Sequence, residues 1–454
     1  MLEDTISNIL RRVVIMKPIN AFPGYKFEYW DSDKKYHNVY RGTDLGKGGY
    51  IVSFPGVYGN VALLDLRSMH PTSAIAMNCF GEYTKNFKDL LDARVAIKQK
   101  DYASAKTMLD GRLAPYLDDK STAKELSQAL KIAINSVYGL TAASFENPFR
   151  DIRNKNNIVA LRGSLFMRTL QDEIESRGYK IVAIKTDSIK IANATKEIVD
   201  FCFEFAEKYS YVFEFEACYD RICQLNDADY IARYKDAEWC EKTFGFVPGD
   251  NAEHAGQWTV TGAKFAVPYV FKTLFSKEPL EFADFCETKA VKSAIYLDKN
   301  ENLPDGEHNY QFIGKVGLFC PVKPGCGGGV LVREAADSEG NIKYDSVTGT
   351  LKSDKVPYRW LEAEHVKLLG KEADIDKSYF RSMVDGVIYG SGTGKNRKPG
   401  ISDYCDFERF VSDEPFVSEE TDESEIVSVP DHPPVDDDDL PWYISDEEEL
   451  FKRR

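Results

Sequence analysis

The apolar run VALLD at 61–65 is unbroken until it stops at an aspartate. Such a run predicts a core strand, and the RSMHPT that follows, with Pro71, predicts a turn or a helix start rather than more strand. From about 86 to 138 the spacing becomes helical, with a connection near 115–121, and further helices are expected over 156–177 and 195–209. Between those two, 179–191 sets β-branched arms around a polar tip, AIKTDSIKI at 183–191. This predicts a hairpin with arms at 181–184 and 189–191 and Thr186, Asp187 and Ser188 at the turn. Residues 1–60 mix a short helical opening with aromatic, Gly-rich loops and strands. After about 226 aromatics, glycines and short strands dominate through PVKPGCGGGVLV, and a helical piece is expected near 358–369. No internal repeat is evident.

One predicted helix carries a polar stripe. In KELSQALKIAINSVYG, residues Lys124, Gln128, Lys131, Asn135 and Tyr138 recur on one face, while Leu126, Leu130, Ile134 and Val137 occupy another. Taken alone, this fits an ordinary surface helix capped by Gly139 as well as a cleft wall. Likewise, Asp187 at a hairpin tip fits a plain Asp-Ser turn as well as an exposed ligand.

Composition narrows the class. A hydrophobic share of 43% with 13% aromatic residues fits a globular chain, and its 454 residues allow two to four domains. No run of 18 apolar residues is present, and the opening MLEDTISNILRRVV is acidic and lacks an apolar stretch. No membrane partner is therefore expected, and a cytoplasmic setting is. The nine cysteines contain no CxxC pair, which predicts buried free thiols rather than disulfides or zinc. The net charge of −15 is uneven: 16 acidic residues and no Lys or Arg fall in 412–450. Setting aside that tail and the last three basic residues leaves 55 basic and 57 acidic residues in 1–411, so the body can still carry a basic groove. The segment 412–454 is expected to be disordered.

The order of DLRSMHPT at 65–72, KIAINSVYG at 131–139 and KTDS at 185–188 resembles motifs A, B and C of the family B DNA polymerases, DxxSLYPS, KxxxNSxYG and DTDS. LLDARVAIK at 90–98 is similar to the fingers segment LLxxRxxxK. The resemblance covers about 65–190. It implies an α+β right-hand architecture with an antiparallel-sheet palm, helical fingers and a mixed thumb. The expected division is an N-terminal segment at 1–60, palm at 61–85, fingers at 86–139, palm again at 140–225, thumb and C-terminal region at 226–402, and an acidic tail at 403–454.

By that resemblance, Asp65 and Asp187, with the Leu66 carbonyl, hold two Mg²⁺ ions, Mn²⁺ being a substitute. Ser68 and Met69 amides, Arg94, Lys98 and Lys131 take the triphosphate of an incoming dNTP, and His70, Asn135 and Tyr138 line its pocket. Gly139, Lys185, Thr186, Tyr230 and Lys264 face primer-template DNA, with Lys272, Lys289, Lys292 and the loop 394–398 as further backbone contacts. The implied activity is template-directed addition of deoxynucleotides to a primer 3′ end. The alternative is a catalytically impaired, polymerase-like DNA-binding subunit of a replication complex. Two departures motivate the alternative. Lys185 replaces the first aspartate of DTDS, and same-side alternation would bring its ammonium near Asp187. His70 replaces the tyrosine that blocks a ribose 2′-hydroxyl, so a weaker preference for deoxynucleotides is expected. Only 64 residues precede Asp65, too few for the family's exonuclease domain, so no proofreading in this chain and a separate exonuclease chain are expected. The DDDDLPWY at 436–443 is similar to tails that engage replication proteins.

Overall fold

The computed structural model describes residues 39–46, 48–143, 145–147, 157–265, 267–300, 307–336, 338–340, 342–352, 356–414 and 416. The predicted helical opening and the 436–443 tail motif lie outside them. Among the described residues no helix is long and apolar enough to cross a membrane.

The strand predicted at 61–65 is the end of a longer one, β4 (Gly56–Leu66), at the centre of a seven-stranded antiparallel sheet. Its neighbours are β6 (Ser188–Ile191) on one side and β7 (Phe213–Gln224) on the other. Outside these lie β5 (Ile181–Lys185) and β3 (Ile51–Ser53) at one edge, and β8 (Tyr230–Tyr234) and β9 (Trp258–Thr261) at the other. Leu64, Leu66, Ile184 and Ile189 are buried on one face against two helices, α5 (Ile158–Glu175) and α6 (Lys196–Lys208). Burying each such side chain contributes about 1.5–3 kcal/mol. A one-residue slip would reverse the faces, so this core fixes Asp65 on the opposite side.

Helix α1 (Met69–Ala76) begins directly after β4. The predicted helical stretch to 138 divides into α2 (Thr84–Lys98), a short α3 (Tyr102–Thr107) and α4 (Lys120–Ala142). The Asp101 and Asp119 side chains cap α3 and α4 by accepting from Ser104 and Thr122 amides. Helix α4 runs past Gly139, which is therefore an exposed interior position and not a cap.

Beyond 226 the strands are longer than the sequence pattern predicts. β10 (Glu287–Asp298) and β11 (Tyr310–Val322) form the middle of a second sheet, completed by β12 (Val330–Ala336), β13 (Ile342–Ser346) and β14 (Arg359–Glu362). The helix expected from 358 starts at Ala363, because Trp360 and Leu361 pair with β11 and bury into that sheet's core. All nine cysteines are free thiols, seven of them buried. The chain stays packed through Glu414: buried Arg221 on β7 donates to the carbonyls of Phe410, Ser412 and Glu414.

Candidate active site

Asp65 is the next-to-last residue of β4, in register with Ser188 of β6 and Glu214 of β7. The hairpin forms where predicted, but its strands reach Lys185 and Ser188, leaving Thr186 and Asp187 as a two-residue turn. Thr186 has φ 58°, and its amide donates to the Tyr50 carbonyl at 2.9 Å. The Leu66 amide donates to the Asp187 carbonyl at 2.8 Å, so the residue after one predicted aspartate is bonded to the backbone of the other.

Burial pushes the Asp65 carboxyl up to about 7, reinforced by the charges of Asp187, Glu216 and Glu214. Burial also raises Asp187. Two hard oxygen donors that repel each other, beside a backbone carbonyl, suit a small divalent cation that keeps several waters. Among the described residues no cluster of three or more His, Cys, Asp or Glu forms a metal cage, so any such ion depends on these two carboxylates and further ligands.

The segment after β4 and the helices α2 and α4 carry the other predicted residues. Ser68, at φ 53°, turns the chain from β4 into α1 and leaves the first-turn amides of that helix pointing away from intrahelical acceptors. Buried Met69 is seated against Gly163 of α5, where a Cβ would fall 2.4 Å from the Met69 sulfur. Arg94 of α2 donates through Nη1 to Ser68 Oγ at 3.3 Å, while its buried Nε has no partner among the described residues. Burial lowers the Arg94 guanidinium below its ordinary value. The His70 ring lies 5.0 Å from the Tyr138 ring, tilted by 31°. Burial lowers the His70 imidazole below its ordinary value, and burial pushes the Tyr138 phenol up to about 12. The Tyr138 hydroxyl donates to Asn157 at 2.6 Å. Asn135 is half-buried one turn earlier, whereas Lys131 is exposed.

Other expected contacts are altered. Lys98 donates to Glu214 at 2.7 Å, and Arg67 holds the other carboxylate oxygen at 2.8 Å. Burial works to raise the Glu214 carboxyl, but the bonds from Lys98 and Arg67 outweigh it and hold the group below its usual range. Lys185 makes no ion pair with Asp187 among the described residues, because the tight turn breaks the alternation that would align them. Instead Lys185 shares the sheet face of Ser188 and Asp65. Lys264 donates to the Pro399 carbonyl at 2.5 Å. Lys272 pairs with Asp284 at 3.0 Å, and buried Lys289 pairs with Glu287, while Lys292 is exposed. In the loop 394–398, Arg397 is held by Asp403 at 2.7 Å.

Sequence reasoning missed Glu214, Glu216 and Lys190. A bulge between Leu63 and Leu64 admits Glu216 as an extra residue of β7. Glu216, Lys190 and Tyr230 then line one cavity with Asp65 and Lys185. The period-two acids of FEFE at 213–216 mark a strand face, but only the pairing with β4 sets that face beside Asp65.

No family model matches this sequence, and neither does any curated protein. Among solved structures, the family B DNA polymerase from the hyperthermophilic archaeon Pyrobaculum calidifontis is similar, at 11% identity and a TM-score of 0.39. The match covers 85% of this chain and 51% of that one, so this chain spans about half its length. That score is below the level at which two folds are equated.

Proposed function

We propose that this chain is a template-directed DNA polymerase core of the family B type, with the seven-stranded sheet as palm, α2 to α4 as fingers and the second sheet within the thumb region. The observation that carries the proposal is the Leu66 to Asp187 backbone bond, which ties the motif A strand to the motif C turn, with the Asp187 charge acting on the Asp65 carboxyl.

Asp65, Asp187 and the Leu66 carbonyl would hold two Mg²⁺ ions, which when bound stabilise the attacking and leaving oxygens of nucleotidyl transfer. The amides of Ser68 and Met69 face the triphosphate at the positive end of α1, and Arg94 adds a planar donor whose Nε awaits an acceptor. Lys98 reaches the phosphates by exchanging its bond to Glu214. His70, braced by Tyr138, presents its ring to the sugar and excludes a 2′-hydroxyl less completely than a tyrosine. Lys131 and Asn135 close the pocket from α4, and Gly139 leaves space for the template, since a Cβ there meets nothing within 4 Å. Thr186 and Tyr230 flank the primer, and Lys185 contacts one of its phosphates.

Primer extension with Mg²⁺ and dNTPs tests this reading: the purified chain extends a primer, and an inert chain that still binds DNA would instead support the impaired-subunit alternative. A second test concerns the hairpin. A Cβ on Gly49 would lie 2.7 Å from Thr186 Oγ1 and Cγ2, displacing the tip that carries Asp187. Gly49→Ala should slow extension on the order of 10- to 100-fold with an unchanged circular dichroism spectrum, since small misplacements of reacting groups cost about that much.

A further inference from the structure

Lys190 on β6 is only 6% exposed, yet no carboxylate among the described residues pairs with it. Its ammonium sits 4.2 Å from the centre of the Tyr230 ring, a contact that supports a cation without neutralising it. In register, Lys190 stands opposite Leu63 and Ala183, which places it on the sheet face of Asp65 and Lys185. Those three side chains line a cavity of about 170 Å³ with Glu216, Tyr230 and Thr261. Burial and the nearby Lys185 push the Lys190 ammonium down to about 8, against the pull of Glu216.

Buried Lys190 and exposed Lys185 share one sheet face and repel each other; Asp65, Glu216 and Asp227 also line the cavity, yet none of them forms an ion pair with either lysine among the described residues. An anion between them would relieve that repulsion and satisfy the buried donor. Asp65, where the proposed reaction leaves a primer end, lines the same cavity. Leu63, opposite Lys190, is two residues from Asp65 along β4, or roughly 7 Å. Successive phosphates of one strand rise about 3.4 Å along a duplex axis, so the spacing matches about two nucleotides.

We infer that Lys190, seated on Tyr230 and paired with Lys185, grips a phosphodiester within the last two nucleotides of the primer strand, as a positioning residue for the 3′ end. This rests on the polymerase reading above. It adds a contact that the motif resemblance does not assign.

The test measures primer-template affinity by fluorescence anisotropy between 50 and 200 mM salt, concentrations over which phosphate contacts weaken measurably. Lys190→Met retains the apolar stem and removes the charge; Lys190→Gln serves as a second variant, and circular dichroism confirms the fold of each. The expected result is about a tenfold loss of affinity and a log–log salt slope smaller by about 1, with recovery in Lys190→Arg. Primers carrying a single neutral methylphosphonate at each of the last three linkages locate the contact. Wild type should lose affinity at one of the last two, and Lys190→Met should lose nothing more there. An unchanged salt slope and unchanged methylphosphonate sensitivity in both variants would overturn the inference. So would a loss that follows terminal base-pair identity at constant slope, which marks a base-edge contact. If wild type binds and extends primers while the variants match it, this inference alone falls; if wild type binds with the expected contact but never extends, the polymerase reading falls and the phosphate site remains. Wild type that does not bind primer-template overturns both.

Discussion

Asp187→Asn abolishes primer extension while leaving primer-template binding within about threefold of wild type. The side chain sits at the tip of a two-residue turn whose backbone is fixed by bonds to Tyr50 and Leu66, so the amide replaces the carboxylate without moving the hairpin. What disappears is charge. Metal-assisted stabilisation of a phosphoryl transition state is worth several kcal/mol, and each 1.36 kcal/mol is tenfold in rate, so the loss should be on the order of a thousandfold or more. Single-turnover extension with saturating Mg²⁺ measures it. A variant within tenfold of wild type would show that Asp187 is a turn residue with no part in the chemistry.

The second large effect has opposite signs for stability and activity. In metal-free buffer the Asp65 carboxyl is held near 7 by burial and by Asp187, Glu216 and Glu214, against about 3.9 for an unfolded aspartate. The folded chain therefore binds more protons than the unfolded chain between those values, and stability is lost as pH rises from about 4 through 7. Asp65→Asn removes that liability. At pH 8 with chelator it should be more stable than wild type by about 1–2 kcal/mol, after discounting for partial solvent access, and the advantage should vanish below about pH 4. Extension by this variant should fall about as far as in Asp187→Asn. Thermal denaturation at pH 4, 6 and 8 checks the sign, and equal melting temperatures at pH 8 would remove the argument that this carboxylate is strained. For wild type, the same protonation makes divalent cations compete with a proton, so apparent Mg²⁺ affinity should rise steadily from pH 6 to 8.

Much of this site is local in sequence, which is why it was legible. The run ending at Asp65, the hairpin at Asp187 and the stripe of α4 each depend on periodicity within one element, and each element forms near its expected place. Glu214 and Glu216 were not legible because their meaning depends on pairing. On β7 alone they look like the solvated side of an alternating strand; only the register with Asp65 and the bulge at Leu63 turn them toward it. Lys264, Lys272 and Lys289 acquire partners that sequence alone does not show. Each looks like a free cation in sequence, yet each meets an acceptor supplied by tertiary packing: the Pro399 carbonyl, Asp284 and Glu287. The short strand at 359–362 was mistaken for helix because a buried strand and a helix start carry similar apolar runs.

Mn²⁺ binding followed by electron paramagnetic resonance, with a dideoxy-terminated primer-template and the matching dNTP present, reaches the core of the proposal. The wild-type chain should take up two ions per chain at pH 8, and Asp65→Asn and Asp187→Asn should each lose uptake at equal nucleotide saturation. Identical Mn²⁺ uptake in all three proteins would contradict a shared site on those two carboxylates.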